Sequence, residues 1–342
     1  MPEEMQMLLN EELLHAATCG DNERVKVLIQ ARAALEASDG NGFTSLISAA
    51  THGHIDTVRT LISYRASLEA RDNNGRTPLM LSGMCGRSAV LKLLLDCKAS
   101  CGARDNEGWT ALMFAARKGN VDAVQHILNA GAQLEDRNNL SRTALMVAAM
   151  NNNAEAASCL LARGASLETL DEDGRSPLLG AIICGHTHVA ETLIKANANV
   201  NIKDQLNVNW TPLMYACTED NTSSLVRALL RAKASLEDRN HKQRTPLTVA
   251  IMNRHYDIAR LLIEAQADLL AEDIYGRTPL HWAAIRGKNN VVAAQLAQDM
   301  HTTVLIRTQG LNNLTNPYSV LPRTLTVTPS EDIKAEPRFF RP

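Results

Sequence analysis

Thr110-Ala111-Leu112-Met113, with Ala115-Ala116 just behind it and Lys118-Gly119-Asn120 closing the stretch, reads as the start, body and end of one short helix. Thr can accept a bond from an orphan N–H of the first turn as N-cap. The same start recurs as Thr44-Ser45-Leu46-Ile47, Thr77-Pro78-Leu79-Met80, Thr143-Ala144-Leu145-Met146, Ser176-Pro177-Leu178-Leu179, Thr211-Pro212-Leu213-Met214, Thr245-Pro246-Leu247-Thr248 and Thr278-Pro279-Leu280-His281. Successive starts lie 33, 33, 33, 33, 35, 34 and 33 residues apart. Spacing this even marks a repeat protein, in which one unit cannot bury its own apolar face and neighbours must stack.

Within each unit the positions have separate physical reasons. Pro after the Thr has the helical φ already set and lacks a donor that would go unused. Pairs such as Ala49-Ala50, Ala115-Ala116, Ala148-Ala149 and Ala283-Ala284 let the first helices of adjacent units approach closely. A short turn, His52-Gly53-His54 for example, leads to an apolar stripe ending in Leu61-Ile62, Leu94-Leu95 or Leu160-Leu161, which predicts a second, outer helix. Polar runs such as Asp72-Asn73-Asn74-Gly75-Arg76 are rich in turn formers and predict a projecting finger between helix pairs.

The 33-residue period with this tetrapeptide resembles the ankyrin repeat. The resemblance implies an all-α solenoid, a stack of helix-turn-helix pairs with projecting β-hairpin-like fingers. It divides the chain into a divergent capping repeat at 1–38, where Leu13-Leu14-His15-Ala16-Ala17 matches the helix start, eight repeats at 39–298 and a C-terminal tail at 299–342. The departures from the family pattern are informative. Met stands at 80, 113, 146 and 214 where the family usually has His, exchanging a hydrogen bond for thioether packing. Arg65, Lys98, Asn197, Lys233 and Gln266 occupy the place where Gly ends the outer helix, and a non-Gly residue there costs about 1 kcal/mol or more. Two fingers begin with Asn138 and Asn240 instead of Asp and lack the finger Gly, and extra residues between Asp204 and Ser224 predict a local irregularity.

Composition sets limits on function. Lys and Arg at 35 against Asp and Glu at 37 leave a formal charge of −2, which argues against nucleic-acid binding by bulk charge. Hydrophobic residues at 45% exclude the low-hydrophobicity profile of disorder, while aromatics at only 4% suit closely packed helices. No apolar run approaches the roughly 18 residues of a membrane span, and the acidic Met1-Pro2-Glu3-Glu4 start is unlike a secretory signal. Seven scattered cysteines suit reduced thiols. The expectation is an unsecreted monomer of the cytoplasm, with the nucleus as the second compartment.

Phosphate-loop, dinucleotide, zinc-protease, nucleophile-elbow and EF-hand motifs are all missing from the sequence. Cys184-Gly185-His186-Thr187-His188 contains metal-ligating types, but its Gly-His falls in the inter-helix turn, where the resemblance assigns it a structural role. No catalytic residue, cofactor or metal is therefore expected. The position before each capping Thr or Ser forms a ladder of Phe43, Arg76, Trp109, Arg142, Arg175, Trp210, Arg244 and Arg277, residue types suited to protein recognition. Beside it, the inner-helix ends include Arg117, Lys118 and Met150, a mixed cationic and apolar groove for an acidic-hydrophobic partner segment. In the tail, Lys334 sits in a pattern resembling a sumoylation acceptor and Thr328 in one resembling a proline-directed phosphorylation site; Asn201 resembles an ankyrin Asn hydroxylated by oxygenases. The functional expectation is a non-catalytic scaffold or adaptor that binds another protein. The alternative is the regulatory or substrate-recognition part of a larger enzyme such as a ubiquitin ligase, kinase or acyltransferase.

Overall fold

The computed structural model describes residues 3–205, 209–287 and 300. These residues form an all-α repeat solenoid of seventeen helices with no strand. The chain divides into two compact units at the junction of Glu172 and Asp173. In the first, α1 (Glu3–Cys19), α3 (Ser45–His52), α5 (Pro78–Met84), α7 (Ala111–Lys118) and α9 (Ala144–Met150) are the inner helices, each packed on the next. The outer row is α2 (Asn22–Gln30), α4 (Ile55–Ser63), α6 (Ser88–Asp96), α8 (Val121–Asn129) and α10 (Ala154–Ala162). In the second unit the inner helices are α11 (Pro177–Ile183), α13 (Pro212–Ala216), α15 (Pro246–Met252) and α17 (Pro279–Gly287). Its outer helices are α12 (Thr187–Lys195), α14 (Ser223–Arg231) and α16 (Tyr256–Glu264).

The capping hydroxyls do what their spacing predicts. Thr44, Thr77, Thr110, Thr143, Ser176, Thr211 and Thr245 are buried, and each accepts the N–H of the residue three places on. The exchange of His for Met is less complete than the sequence suggests. At Met80 the sulfur still stands 3.5 Å from the Thr77 N–H, close to where the His281 ring nitrogen accepts from the Thr278 N–H at 3.2 Å. A thioether is a weak acceptor, so Met80 keeps a diminished form of the same bond.

The small pairs behind the caps are fully covered, with Ala49, Ala50, Ala115, Ala116, Ala148 and Ala149 all at 0% exposure. At Gly83 the approach is close: an added Cβ would lie 3.3 Å from the Ala111 carbonyl oxygen of the neighbouring helix. Inter-helix turns are tied backwards by side chains. His54 bonds the Thr18 carbonyl, Arg87 donates to that of Thr51, and Asn153 donates to those of Ala116 and Arg117. A second set of ties runs under the fingers, where Glu36, Glu69 and Glu135 accept the N–H groups of Ser67, Ser100 and Ser166.

The first repeat differs at its outward face. Glu12 and Arg24 form an ion pair at 2.6 Å, each about half exposed. The equivalent positions one and two repeats on are Ser45 and Pro78, and Thr57 and Val90, all buried. Charge thus stands in this repeat where the next two carry small or apolar side chains. The seventh repeat is irregular as expected: α13 has five residues, and the Thr222 hydroxyl donates to the Ala216 carbonyl at 2.6 Å across the lengthened turn.

Left-handed backbone recurs with the period. Arg32, Arg65 and Lys98, then Asn197, Lys233 and Gln266, all have φ between 64° and 73° after their outer helices. At the finger position Gly42, Gly75 and Gly108 are followed by Ser141 at φ 57°, and in the second unit Gln243 is at φ 56°. Replacing Lys98 or Ser141 by Gly is expected to stabilise the protein by about 0.5–1 kcal/mol each, because the αL penalty exceeds the added chain entropy of Gly. Urea unfolding midpoints check this. Gly108→Ala should move the midpoint the other way, since its Cβ would meet Asn139 Oδ1 at 2.6 Å.

Candidate functional site

The finger ladder is built on its first residue. Asp72 closes its finger by accepting the N–H groups of Asn74 and Arg76 on Oδ1, while Oδ2 pairs with the Arg76 guanidinium at 2.7 Å. The Asp72 side chain is completely buried, so this pair is part of the framework. Successive fingers are joined by backbone bonds from Asn73 to the Asn41 carbonyl, Asn106 to that of Asn74, and Asn139 to that of Glu107. Such bonds leave the fingertips little freedom.

Asn at the finger base changes the pairing. Asn138 Oδ1 takes the N–H groups of Leu140 and Arg142, but its amide nitrogen has nothing to offer a guanidinium and is buried without a partner. Arg142 reaches forward instead, to the buried carboxylate of Asp171 at 3.4 Å. Asn240 repeats the arrangement in the second unit, with Arg244 directed at Asp273. Arg175 is paired as well, with Asp173 at 3.1 Å.

Two members of the ladder offer no surface to a partner. Trp210 is 1% exposed, its ring 5.2 Å from that of Tyr215, whose hydroxyl donates to Asp204. Arg244 is 2% exposed and lies over the Trp282 ring, whose indole N–H donates to Asp273 at 3.0 Å. Arg277 is half-buried, its guanidinium over both Trp282 and Tyr275. The expected exposed row is therefore interrupted at Trp210 and Arg244, because these side chains fill the finger-helix junction.

The more accessible candidates gather in the first unit. Phe43 and Trp109 are half-buried. Trp109 rests on Phe114 at 5.1 Å between ring centroids, and the Arg117 guanidinium lies over its ring at 5.6 Å. Arg117 and Lys118, the last two residues of α7, are exposed, and neither has a carboxylate within ion-pair distance among the described residues. Their helix-terminal position is also favourable in its own right, since cations complement the C-terminal end of the dipole. Met150 is half-buried at the equivalent end of α9, and Met84 at that of α5, where its sulfur lies 3.9 Å from Arg76.

Sequence reasoning overlooked the carboxylates that occupy the ladder. Their signal was present as Asp72-x-x-x-Arg76, a fixed spacing across a finger. Asn201 has a structural duty: its amide oxygen accepts the Ser235 N–H at 2.8 Å, the tie that Glu makes in other repeats. Thr328 and Lys334 lie outside the described residues. Among the described residues no cluster of His, Cys, Asp or Glu could hold a metal ion, and no helix is long and apolar enough to cross a membrane.

Asp72→Asn is expected to cost about 1–3 kcal/mol in urea unfolding by removing a buried charge-assisted bond, and to leave Arg76 without its partner. Burial pushes the Cys217 thiol well above its ordinary range. In native protein Cys217 should therefore resist alkylation until unfolding, whereas exposed Cys19 reacts first; peptide mapping after a timed iodoacetamide pulse reads the order.

Comparison with known proteins agrees with this architecture. A family model of three ankyrin repeats matches residues 3–72, 67–138, 129–204 and 201–273, and a single ankyrin repeat matches 275–302. Neurogenic locus notch homolog protein 1 of Mus musculus is 39% identical over 101 residues, 29% of this chain and 4% of that protein. Inversin of Canis lupus familiaris is 37% identical over 73 residues, 21% of this chain and 7% of its own length. The putative E3 ubiquitin-protein ligase XBAT35 of Arabidopsis thaliana is 35% identical over 96 residues, 27% of this chain and 21% of that protein. The match thus spans only a small part of each of these relatives and is confined to repeats. With matches running from residue 3 to 302, the chain belongs to the ankyrin repeat family.

Proposed function

We propose that this protein is a non-catalytic interaction module that binds another protein through its inner-helix ends and the adjoining fingers. Ankyrin repeats generally serve in protein binding, and the relatives match on their repeats alone. One observation carries the reading: the interior repeats and the exposed ends do not. Capping hydroxyls and small helix pairs recur from unit to unit, whereas the inner helices of the first unit end in Thr51-His52, Met84-Cys85, Arg117-Lys118 and Met150-Asn151. A scaffold needs the first kind of position to be uniform. Recognition needs the second kind to be individual.

On this reading Phe43, Trp109, Arg117, Lys118 and Met150 contribute contact surface in the first unit. Arg76 and Arg142 in the first unit, and Arg175 and Arg277 in the second, act mainly by holding fingers in place. The exposed ion pair of Glu12 and Arg24 supports reading residues 1–38 as a capping repeat. The match to a protein named as a putative ubiquitin ligase supports a second reading, a recognition part that works with an enzyme.

The test is affinity capture with the full chain beside an Arg117→Glu, Lys118→Glu variant of unchanged circular dichroism and urea midpoint. Partners held by wild type should be lost from the variant. Equal recovery of every partner on both would remove these residues from the binding surface. Ubiquitin transfer by the captured complex would favour the second reading.

A further inference from the structure

The ladder arginines and the Arg117-Lys118 pair differ in one respect that decides what can bind. Arg76, Arg142 and Arg175 have their charge answered by Asp72, Asp171 and Asp173. Arg117 is instead contacted by groups that leave its charge unanswered. Its backbone carbonyl accepts the Asn153 amide at 2.7 Å from the next repeat, and its guanidinium lies on Trp109, itself backed by Phe114. A guanidinium placed over an aromatic face leaves N–H donors in its own plane directed outward, where they can match a carboxylate in bidentate fashion. Lys118 adds a second positive charge one residue away. The Trp109 contact spends part of the Arg117 ordering entropy in folding.

Resting on the proposal that this surface binds protein, we infer that Arg117 and Lys118 form a carboxylate-binding subsite for an extended acidic segment of a partner, with Trp109 as its positioning platform. The neighbouring positions supply the rest of the pattern. Met84 and Met150 occupy the place of Arg117 one repeat before and one after, giving a thioether, a cation and a thioether in line. Packed helices lie about 8–10 Å apart, and three residues of polyproline II chain rise about 9 Å while returning the side chain to the same face. The segment that fits is apolar-x-x-acidic-x-x-apolar, with Asp or Glu on Arg117 and an aliphatic side chain toward each Met. Carboxylates already paired within the fingers do not compete for the subsite.

Selection of a random 16-residue peptide display library on the purified full chain tests this. Enriched peptides should carry an Asp or Glu with aliphatic residues three positions away. In fluorescence polarisation, Arg117→Glu, Lys118→Glu should weaken the selected peptide by tenfold or more on the order of one lost charge-assisted contact, and added salt should weaken it further. Arg117→Lys, which keeps the charge but loses the planar fork, should fall between that variant and wild type, as should Trp109→Leu. Enriched peptides that depend on Phe43 or Met150 but are neutral or basic would overturn the acidic subsite while leaving the protein-binding surface in place. Acidic peptides without the three-residue register would overturn the extended row. Enrichment insensitive to every one of these substitutions, or no enrichment, would overturn the surface itself.

Discussion

Close approach of the inner helices is the constraint on which the rest of the structure depends. A pair of methyl side chains, or Ser82-Gly83 in α5, lets one backbone stand against the next, and at Gly83 even an added Cβ would come to 3.3 Å from a neighbouring carbonyl oxygen. At that distance a helix cannot slide by a turn without collision, because packed interiors hold discrete arrangements. Register fixed in this way brings the same residue of each repeat to the same height, which is why Asn153 meets the Arg117 carbonyl and Glu135 the Ser166 N–H. In the second unit α17 keeps the pair as Ala283-Ala284, and the other three inner helices meet the constraint differently. Ile182, Cys217 and Ile251 replace the second small residue of the pair, and all are buried.

Much of this was legible in the sequence because the period supplied repeated measurements of the same site. Thr110 alone is a weak N-cap signal, whereas eight Thr or Ser at one spacing identify the start of every inner helix after the first. Lys98 could be assigned left-handed backbone in advance, since Gly131 and Gly164 stand at the same place in other repeats, and its φ of 70° agrees. The candidate site was less legible. A ladder of Arg, Trp and Phe looks like a recognition surface when read as a row of residue types, yet Asp72, Asp171 and Asp273 turn most of its charge inward. Burial was the harder quantity to foresee. Trp109 and Trp210 share a position and an aromatic five residues on, but Phe114 has no polar group, whereas the Tyr215 hydroxyl engages Asp204.

The substitutions at the finger base show how a local change redistributes a network. Asp at position 72 serves its own finger twice, through backbone and guanidinium. Asn at 138 retains the backbone role and loses the ionic one, at the cost of an unpartnered buried amide nitrogen. Leaving a buried donor unpaired costs about 1–3 kcal/mol, and the Arg142 bridge to Asp171 offsets part of it by joining two fingers. Asn240 and Arg244 follow the same course in the other unit. The same chemical change thus turns the Arg toward the next finger's Asp in both units, at 3.4 Å for Arg142 and 3.9 Å for the more deeply buried Arg244, as expected where each repeat contacts chiefly its neighbours.

A residue that serves the framework is poorly placed to serve recognition. Arg76 and Arg142 could turn to a partner carboxylate only by weakening their hold on Asp72 or Asp171, and breaking such a pair leaves a buried charge without compensation. Phe43, Trp109, Arg117 and Lys118 are under no such obligation, or like Trp109 perform their framework duty with one face and leave an edge outside. Exposure alone does not identify them, since Leu140 and Leu270 are also exposed. What separates Arg117 is the combination of an exposed guanidinium placed over Trp109 with the absence, among the described residues, of a paired carboxylate, so that its charge stays open to a partner.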